Sequence, residues 1–126
     1  ALRDVQVADY DRIAFIGGPG AGALAHNLDA QKIAADAVAV GVPLGAICIA
    51  PTILAAAGVL RGKRATCWPL DHAPHDTGEQ VAMLEQAGAM VIRDQNVVVD
   101  GMIVTANGPD AAVKFGNTFA RIAKKG

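Results

Sequence analysis

Apolar residues fall in short runs separated by glycine, proline and small polar clusters, and the runs alternate between two periods. Ile13-Ala14-Phe15-Ile16 and Pro43-Leu44-Gly45-Ala46-Ile47 are continuous apolar runs, the pattern of strands buried on both faces of a parallel sheet. Between them, residues 30–40 place Ile33, Ala34, Ala37, Val38 and Val40 near helical spacing, with Asp29 as the expected N-cap and Gly41 as the stop. Pro51 stands where a first helical turn would begin, which predicts a helix over 52–57 ended by Gly58. Lys63–Cys67 reads as a short strand closed by Trp68-Pro69, and residues 69–77 read as a loop. Val81, Leu84 and Ala87 opposite Glu79, Gln80 and Glu85 predict an amphipathic helix over 78–87. Strands follow at 89–92 and 97–99. Asp100-Gly101 is a hairpin signal that returns the chain as a strand over 102–105. Pro109 opens a last helix with Ala112, Val113, Phe115, Phe119 and Ile122 on its apolar face.

Strand and helix signals alternating from end to end predict an α/β layer structure with a mostly parallel sheet, without internal repeats, linkers or low-complexity tracts. Such sheets bind ligands at the C-terminal edge of their strands. Two strands end in informative turns, at Gly17-Gly18 and at Cys48, and both would open on that edge.

Composition narrows the function classes. The chain has 126 residues, 52% of them hydrophobic, and a net charge of −1, which is globular and argues against nucleic acid as the main partner. The basic cluster Arg121, Lys124 and Lys125 is more simply a solvated end of the last helix. No apolar run reaches the roughly 18 residues that span a bilayer, so no membrane partner is expected. Arg3, Asp4, Asp9, Asp11 and Arg12 do not read as a signal peptide. Two cysteines, Cys48 and Cys67, are too few for a disulfide framework or a zinc site, and a reducing cytoplasm is expected.

Cys48 is the residue most suggestive of chemistry. A buried strand stops there and a helix begins about two residues later, so the turn is tight and its backbone strained. Residues two before and two after must be small, and they are Ala46 and Ala50. This is the small-x-nucleophile-x-small elbow known with serine in hydrolases. A thiol there meets the positive end of a helix, which favours thiolate. The Ile49 N–H faces the same space and is not needed inside the helix, so it suits a developing oxyanion. Taken alone, the cysteine is as well read as a small buried hydrophobe; its small neighbours and Pro51 tip the balance. Gly17-Gly18-Pro19-Gly20-Ala21-Gly22 lacks the ending of a phosphate loop and the spacing of a dinucleotide fingerprint. It reads as a tight turn whose N–H groups, chiefly that of Gly18, point toward Cys48.

The segments Tyr10–Ala21, Ala46–Pro69, Gly88-Ala89 and Val98–Pro109, in this order and spacing, resemble the ThiJ/PfpI superfamily, the class I glutamine amidotransferase-like group that includes protease I and the parkinsonism-associated deglycase type. The resemblance implies a flavodoxin-like three-layer sandwich, commonly a homodimer. It implies Cys48 as nucleophile, Gly18 and Ile49 as backbone donors, and no metal or organic cofactor. Activities in the family include glyoxalase and deglycase chemistry on 2-oxoaldehydes or their protein adducts, PfpI-type peptidase activity, isonitrile hydration and chaperone-like roles. This sequence departs from the family in two ways. PfpI-like peptidases carry His directly after the nucleophile, where Ile49 stands, and the deglycase branch carries a second His where Trp68 stands. Family members also begin with a strand and helix that supply a Glu touching the thiolate. Residues 1–126 then read as one ThiJ/PfpI-like domain incomplete at its N-terminus, with a companion N-terminal fragment expected as partner.

The leading expectation is a cysteine-dependent enzyme acting on a small aldehyde substrate. The alternatives are an oxidation-sensing or chaperone-like stress protein, or a peptidase. Gly17, Trp68 and His72 are candidates for the pocket. His72 and His75, in a loop with Asp71 and Asp76, are more simply surface histidines than metal ligands or proton carriers; His26 could reach the pocket rim. Cys67 is read as structural.

Overall fold

The computed structural model describes residues 4–16, 25–68 and 79–122. After a 3₁₀ turn at Val7–Asp9, strand β1 (Ile13–Ile16) leads through helix α1 (Leu28–Val40) to β2 (Leu44–Ile47), and helix α2 (Pro51–Ala56) follows. Then come β3 (Arg64–Ala65), α3 (Glu79–Gln86), β4 (Met90–Val91), the hairpin β5 (Val97–Asp100) and β6 (Ile103–Ala106), and finally α4 (Ala112–Ala120). The main sheet runs β1-β2-β6-β5, with β1, β2 and β6 parallel and β5 antiparallel to β6. The predicted strands 63–67 and 89–92 shrink to β3 and β4, which pair with each other in a separate parallel ribbon.

Alternation of side chains sorts the sheet into two faces. Leu44 and Ala46 of β2 and Ile103 of β6 pack in one core with Ile33, Ala34 and Ala37 of α1, Ile53 and Leu54 of α2, and Leu84 of α3. Ile47, Val97, Val104 and Ala106 face the other way, against Phe115 and Phe119 of α4. The fold is thus a mostly parallel sheet between helices, as expected. Gly45 is the closest approach: a Cβ there would lie 2.8 Å from Phe115 Cζ and 3.1 Å from Phe119 Cε1. The two rings stack with centroids 5.6 Å apart.

Several local expectations are corrected. Asn27, not Asp29, caps α1, its Oδ1 accepting from the N–H groups of Asp29 and Ala30 at 2.9 and 3.0 Å; Asp29 sits in the first turn, where its charge suits the dipole. Val38 and Val40 are exposed rather than inward. On α4, Ala112 and Val113 are likewise exposed. Asp100 pairs with Ile103, so the hairpin loop is Gly101-Met102, with Gly101 at φ 62°. The Asp100 carboxylate instead accepts from the Arg64 N–H at 2.9 Å and faces Lys63 Nζ at 3.9 Å, tying the β3–β4 ribbon to the main sheet. Pro109 opens a 3₁₀ turn, Pro109–Ala111, before α4 begins. The carbonyls at the end of α4 are held by Arg12, which donates to Phe119 O at 3.1 Å, Ala120 O at 2.7 Å and Ile122 O at 3.0 Å. Nothing in the sequence pointed to that long-range cap. Among the described residues no helix is long and apolar enough to cross a membrane.

Candidate active site at the end of β2

The β2 strand ends at Ile47, and Cys48 turns the chain toward α2. Among the described residues Cys48 is the only non-glycine residue with positive φ, at 66°. That left-handed conformation is costly for an L-residue with a side chain and persists only where its surroundings impose it. Here they do. The Cys48 N–H donates to Ala106 O at 3.0 Å, continuing the ladder to β6, and the Cys48 carbonyl accepts from the Trp68 N–H at 2.9 Å. Ala46 and Ala50 are fully buried, leaving no room for larger side chains on either side of the elbow. The Ala50 N–H donates to Ile47 O at 3.2 Å, closing the bend, and Pro51 occupies the first helical turn. The Ile49 carbonyl accepts from the Thr52 N–H and from Thr52 Oγ1 at 2.8 Å. Among the described residues none accepts from the Ile49 N–H, which leaves that donor available.

The thiol is a free, half-buried cysteine at one end of an open groove of about 560 Å³. The groove is lined by Ala14 and Ile16 of β1, Ile47 of β2, and Phe115, Gly116 and Phe119 of α4 and its rings. This lining is apolar, and burial pushes the Cys48 thiol above its ordinary value. The expected thiolate therefore does not follow from the described surroundings: partial burial opposes the pull of the short helix α2. Cys67, by contrast, is fully buried on the other side, in the core with α1 and α2.

Of the candidate pocket residues, Trp68 is brought next to Cys48 by the main-chain bond above, with its side chain half-exposed. Gly17, Gly18, His72 and His75 lie outside the described residues. His26 is exposed in the turn before α1 and does not line the groove. Sequence reasoning missed Gly108 and Asn107. Gly108 carries the Trp68 ring against its backbone, and Asn107 follows Ala106 and donates from its side chain to Asn96 Oδ1 at 3.1 Å. Their signal lies in the Asn107-Gly108-Pro109 turn that follows β6.

The pattern of the DJ-1/PfpI family matches residues 1–122. The chain belongs to the DJ-1/PfpI family. It is 39% identical to an uncharacterised protein of Methanocaldococcus jannaschii, over 98% of this chain and 57% of that protein. It is 35% identical to a glutathione-independent glyoxalase of Caenorhabditis elegans, over 91% of this chain and 56% of that protein. A deglycase of Pyrococcus abyssi is 31% identical, over 98% of this chain and 69% of the deglycase. In three dimensions this DJ-1/PfpI chain is similar to a ThiJ/PfpI domain protein from Brachyspira murdochii, with a TM-score of 0.85 and 26% identity, covering 96% of this chain and 64% of that one. The chain thus spans little more than half the length of the first two relatives.

Proposed function

We propose that the chain carries the nucleophile of a cysteine-dependent enzyme of glyoxalase or deglycase type, acting on small 2-oxoaldehydes or their protein adducts. The observation that carries this reading is the strained Cys48 backbone, fixed at both its N–H and its carbonyl, at the C-terminal edge of a parallel sheet. The C. elegans relative named a glyoxalase and the P. abyssi relative named a deglycase support this choice of reaction type.

In this mechanism the Cys48 sulfur bonds to the aldehyde carbon and the carbonyl π pair moves to oxygen, giving a thiohemiacetal once that oxygen is protonated. The N–H groups of Ile49 and Gly18 hold the developing oxyanion. Removal of the C1 proton and its return at C2 convert the adduct to a thioester of a 2-hydroxy acid. Water then releases the acid and restores the thiol, so the overall change is addition of one water. The proton-moving carboxyl comes from a companion N-terminal segment of the whole protein. The uncovered side of β1 suits that segment. Ile16 is 67% exposed, β1 ends the sheet with no described strand on its outer edge, and parallel sheets are ordinarily covered on both faces. A strand on that edge and a helix roofing the groove would place a side chain beside the Cys48 sulfur. The protein works in a reducing cytoplasm, as a homodimer.

The test is methylglyoxal consumption by the full-length protein. Cys48→Ser should lower kcat/KM by at least about a thousand-fold, the scale of removing a nucleophile, while Cys67→Ser should leave it intact. Equal rates for the wild type and Cys48→Ser end this reading. A second measurement follows the thiol itself. Because burial raises its pKa, the thiolate fraction grows only as pH climbs past the ordinary thiol range, so the 126-residue chain should react with iodoacetamide more slowly at pH 7 than a free cysteine does. A midpoint below that of free cysteine would show that something other than the described groove tunes the sulfur. Ile49 beside the nucleophile weighs against a peptidase.

A further inference from the structure

Trp68 is the chain's single tryptophan, and it is 48% exposed. An indole at a protein surface is commonly mobile, but here the main chain that carries it is anchored and the ring rests on a glycine. The Trp68 main-chain N–H donates to the Cys48 carbonyl at 2.9 Å. The residues before it are fully buried, and the Thr66 N–H donates to Thr105 Oγ1 of β6 at 3.0 Å. The ring itself lies on Gly108: a Cβ at that position would come within 3.2 Å of Trp68 Cδ1 and 3.5 Å of Cγ. Gly108 is buried and stands two residues after Ala106, whose carbonyl accepts the Cys48 N–H. The indole and the nucleophile are therefore fixed to the same short stretch of backbone, with part of the ring left open to solvent. A rigid aromatic surface loses little conformational freedom on binding and stacks well on planar groups.

We propose that Trp68 is a specificity-determining residue that selects carbonyl compounds bearing a planar aromatic substituent, so that the Cys48 site prefers arylglyoxals to alkylglyoxals. The assignment rests on the proposed cysteine chemistry for its reaction and on the Trp68 geometry for its selectivity, and the two can fail separately. The reactive aldehyde carbon meets Cys48 while the aryl ring on the neighbouring carbonyl lies along the indole. Stacking of this kind shifts affinity by about tenfold. The glycine at 108 is part of the device, because a Cβ there would crowd Trp68 Cδ1 at 3.2 Å and make the indole give way by a few tenths of an ångström.

Two measurements decide it. In the full-length protein, the ratio of kcat/KM for phenylglyoxal over methylglyoxal should exceed one. It should fall about tenfold in Trp68→Ala, mainly through KM, and recover in Trp68→Phe. A ratio that is the same in wild type and Trp68→Ala overturns the proposal. The second measurement needs no turnover. In the Cys48→Ser form of this chain, mandelate, the product expected from phenylglyoxal, should quench the fluorescence of Trp68 at concentrations where lactate does not, and Gly108→Val should weaken the effect. Equal quenching by the two acids, or none by either, also overturns it. If mandelate quenches selectively but neither aldehyde is consumed, the aromatic site stands and the cysteine reaction falls.

Discussion

β1 and β2 are neighbouring parallel strands of equal length and similar apolar composition, yet they occupy opposite environments. Every residue of β2 is buried, whereas β1 alternates between half-buried and exposed positions. The pairing sets them side by side, Ala14 with Gly45 and Ile16 with Ile47, so partners share a face of the sheet. Ile47 is 4% exposed and Ile16 is 67% exposed. The difference does not lie in the residues. α4 lays Phe115 and Phe119 over β2 and stops short of β1, leaving the groove that ends at Cys48. A closed surface and an open one thus meet along the line of the nucleophile. The closed side anchors the strained cysteine, and the open side gives access to it.

The comparison can be broken by matched substitutions in the 126-residue chain. Ile47→Ala should cost about 3 kcal/mol, the range for truncating a buried aliphatic side chain. Ile16→Ala should stay within about 0.5 kcal/mol, as for exposed positions. Urea unfolding of the two variants reads both values, and equal losses would mean that β1 is covered in solution. The next pair is subtler. Gly45→Ala must displace the Phe115 ring from a contact of 2.8 Å. Overpacking of this kind costs about 2 kcal/mol. Ala14→Val, at the paired position on β1, has open groove above it and should change stability by less than about 0.5 kcal/mol. Should Gly45→Ala prove harmless, the phenylalanine pair is looser than its stacked geometry implies.

The same contrast explains what could be read from the sequence. Continuous apolar runs located β1 and β2 to within a residue, and the glycine and proline punctuation located α1 and α2. The elbow at Cys48 was legible because its requirements are local: small residues at 46 and 50, and Pro51 after them. The similar apolar character of β1 and β2 hid which of them lies uncovered, since that depends on where a helix more than sixty residues away comes to rest. The Arg12 cap on α4 was hidden for the same reason, its partners being 107 residues or more away in the chain. Trp68 was noticed as a substitution within the family pattern, but its seat on Gly108 needed coordinates. The elevated thiol pKa was also illegible: the elbow suggested a helix end acting on sulfur, and the apolar groove that opposes it is assembled from β1, β2 and α4.

The smallest effect tests the elbow itself. At φ 66°, a residue with a Cβ pays about 1 kcal/mol relative to glycine. Cys48→Ala and Cys48→Gly both remove the sulfur, and the cysteine is only half-buried, so the packing lost is nearly the same in the two. The glycine variant also gains freedom when unfolded, which in an unstrained strand would make it the less stable of the pair. Here the relief of strain should outweigh that entropy, and Cys48→Gly should unfold at a urea concentration equal to or above that of Cys48→Ala. The reverse order, with alanine clearly the more stable, would mean that the left-handed turn is not held in solution. The main-chain bonds from Cys48 to Ala106 and Trp68 would then be too weak to present the sulfur as an elbow does.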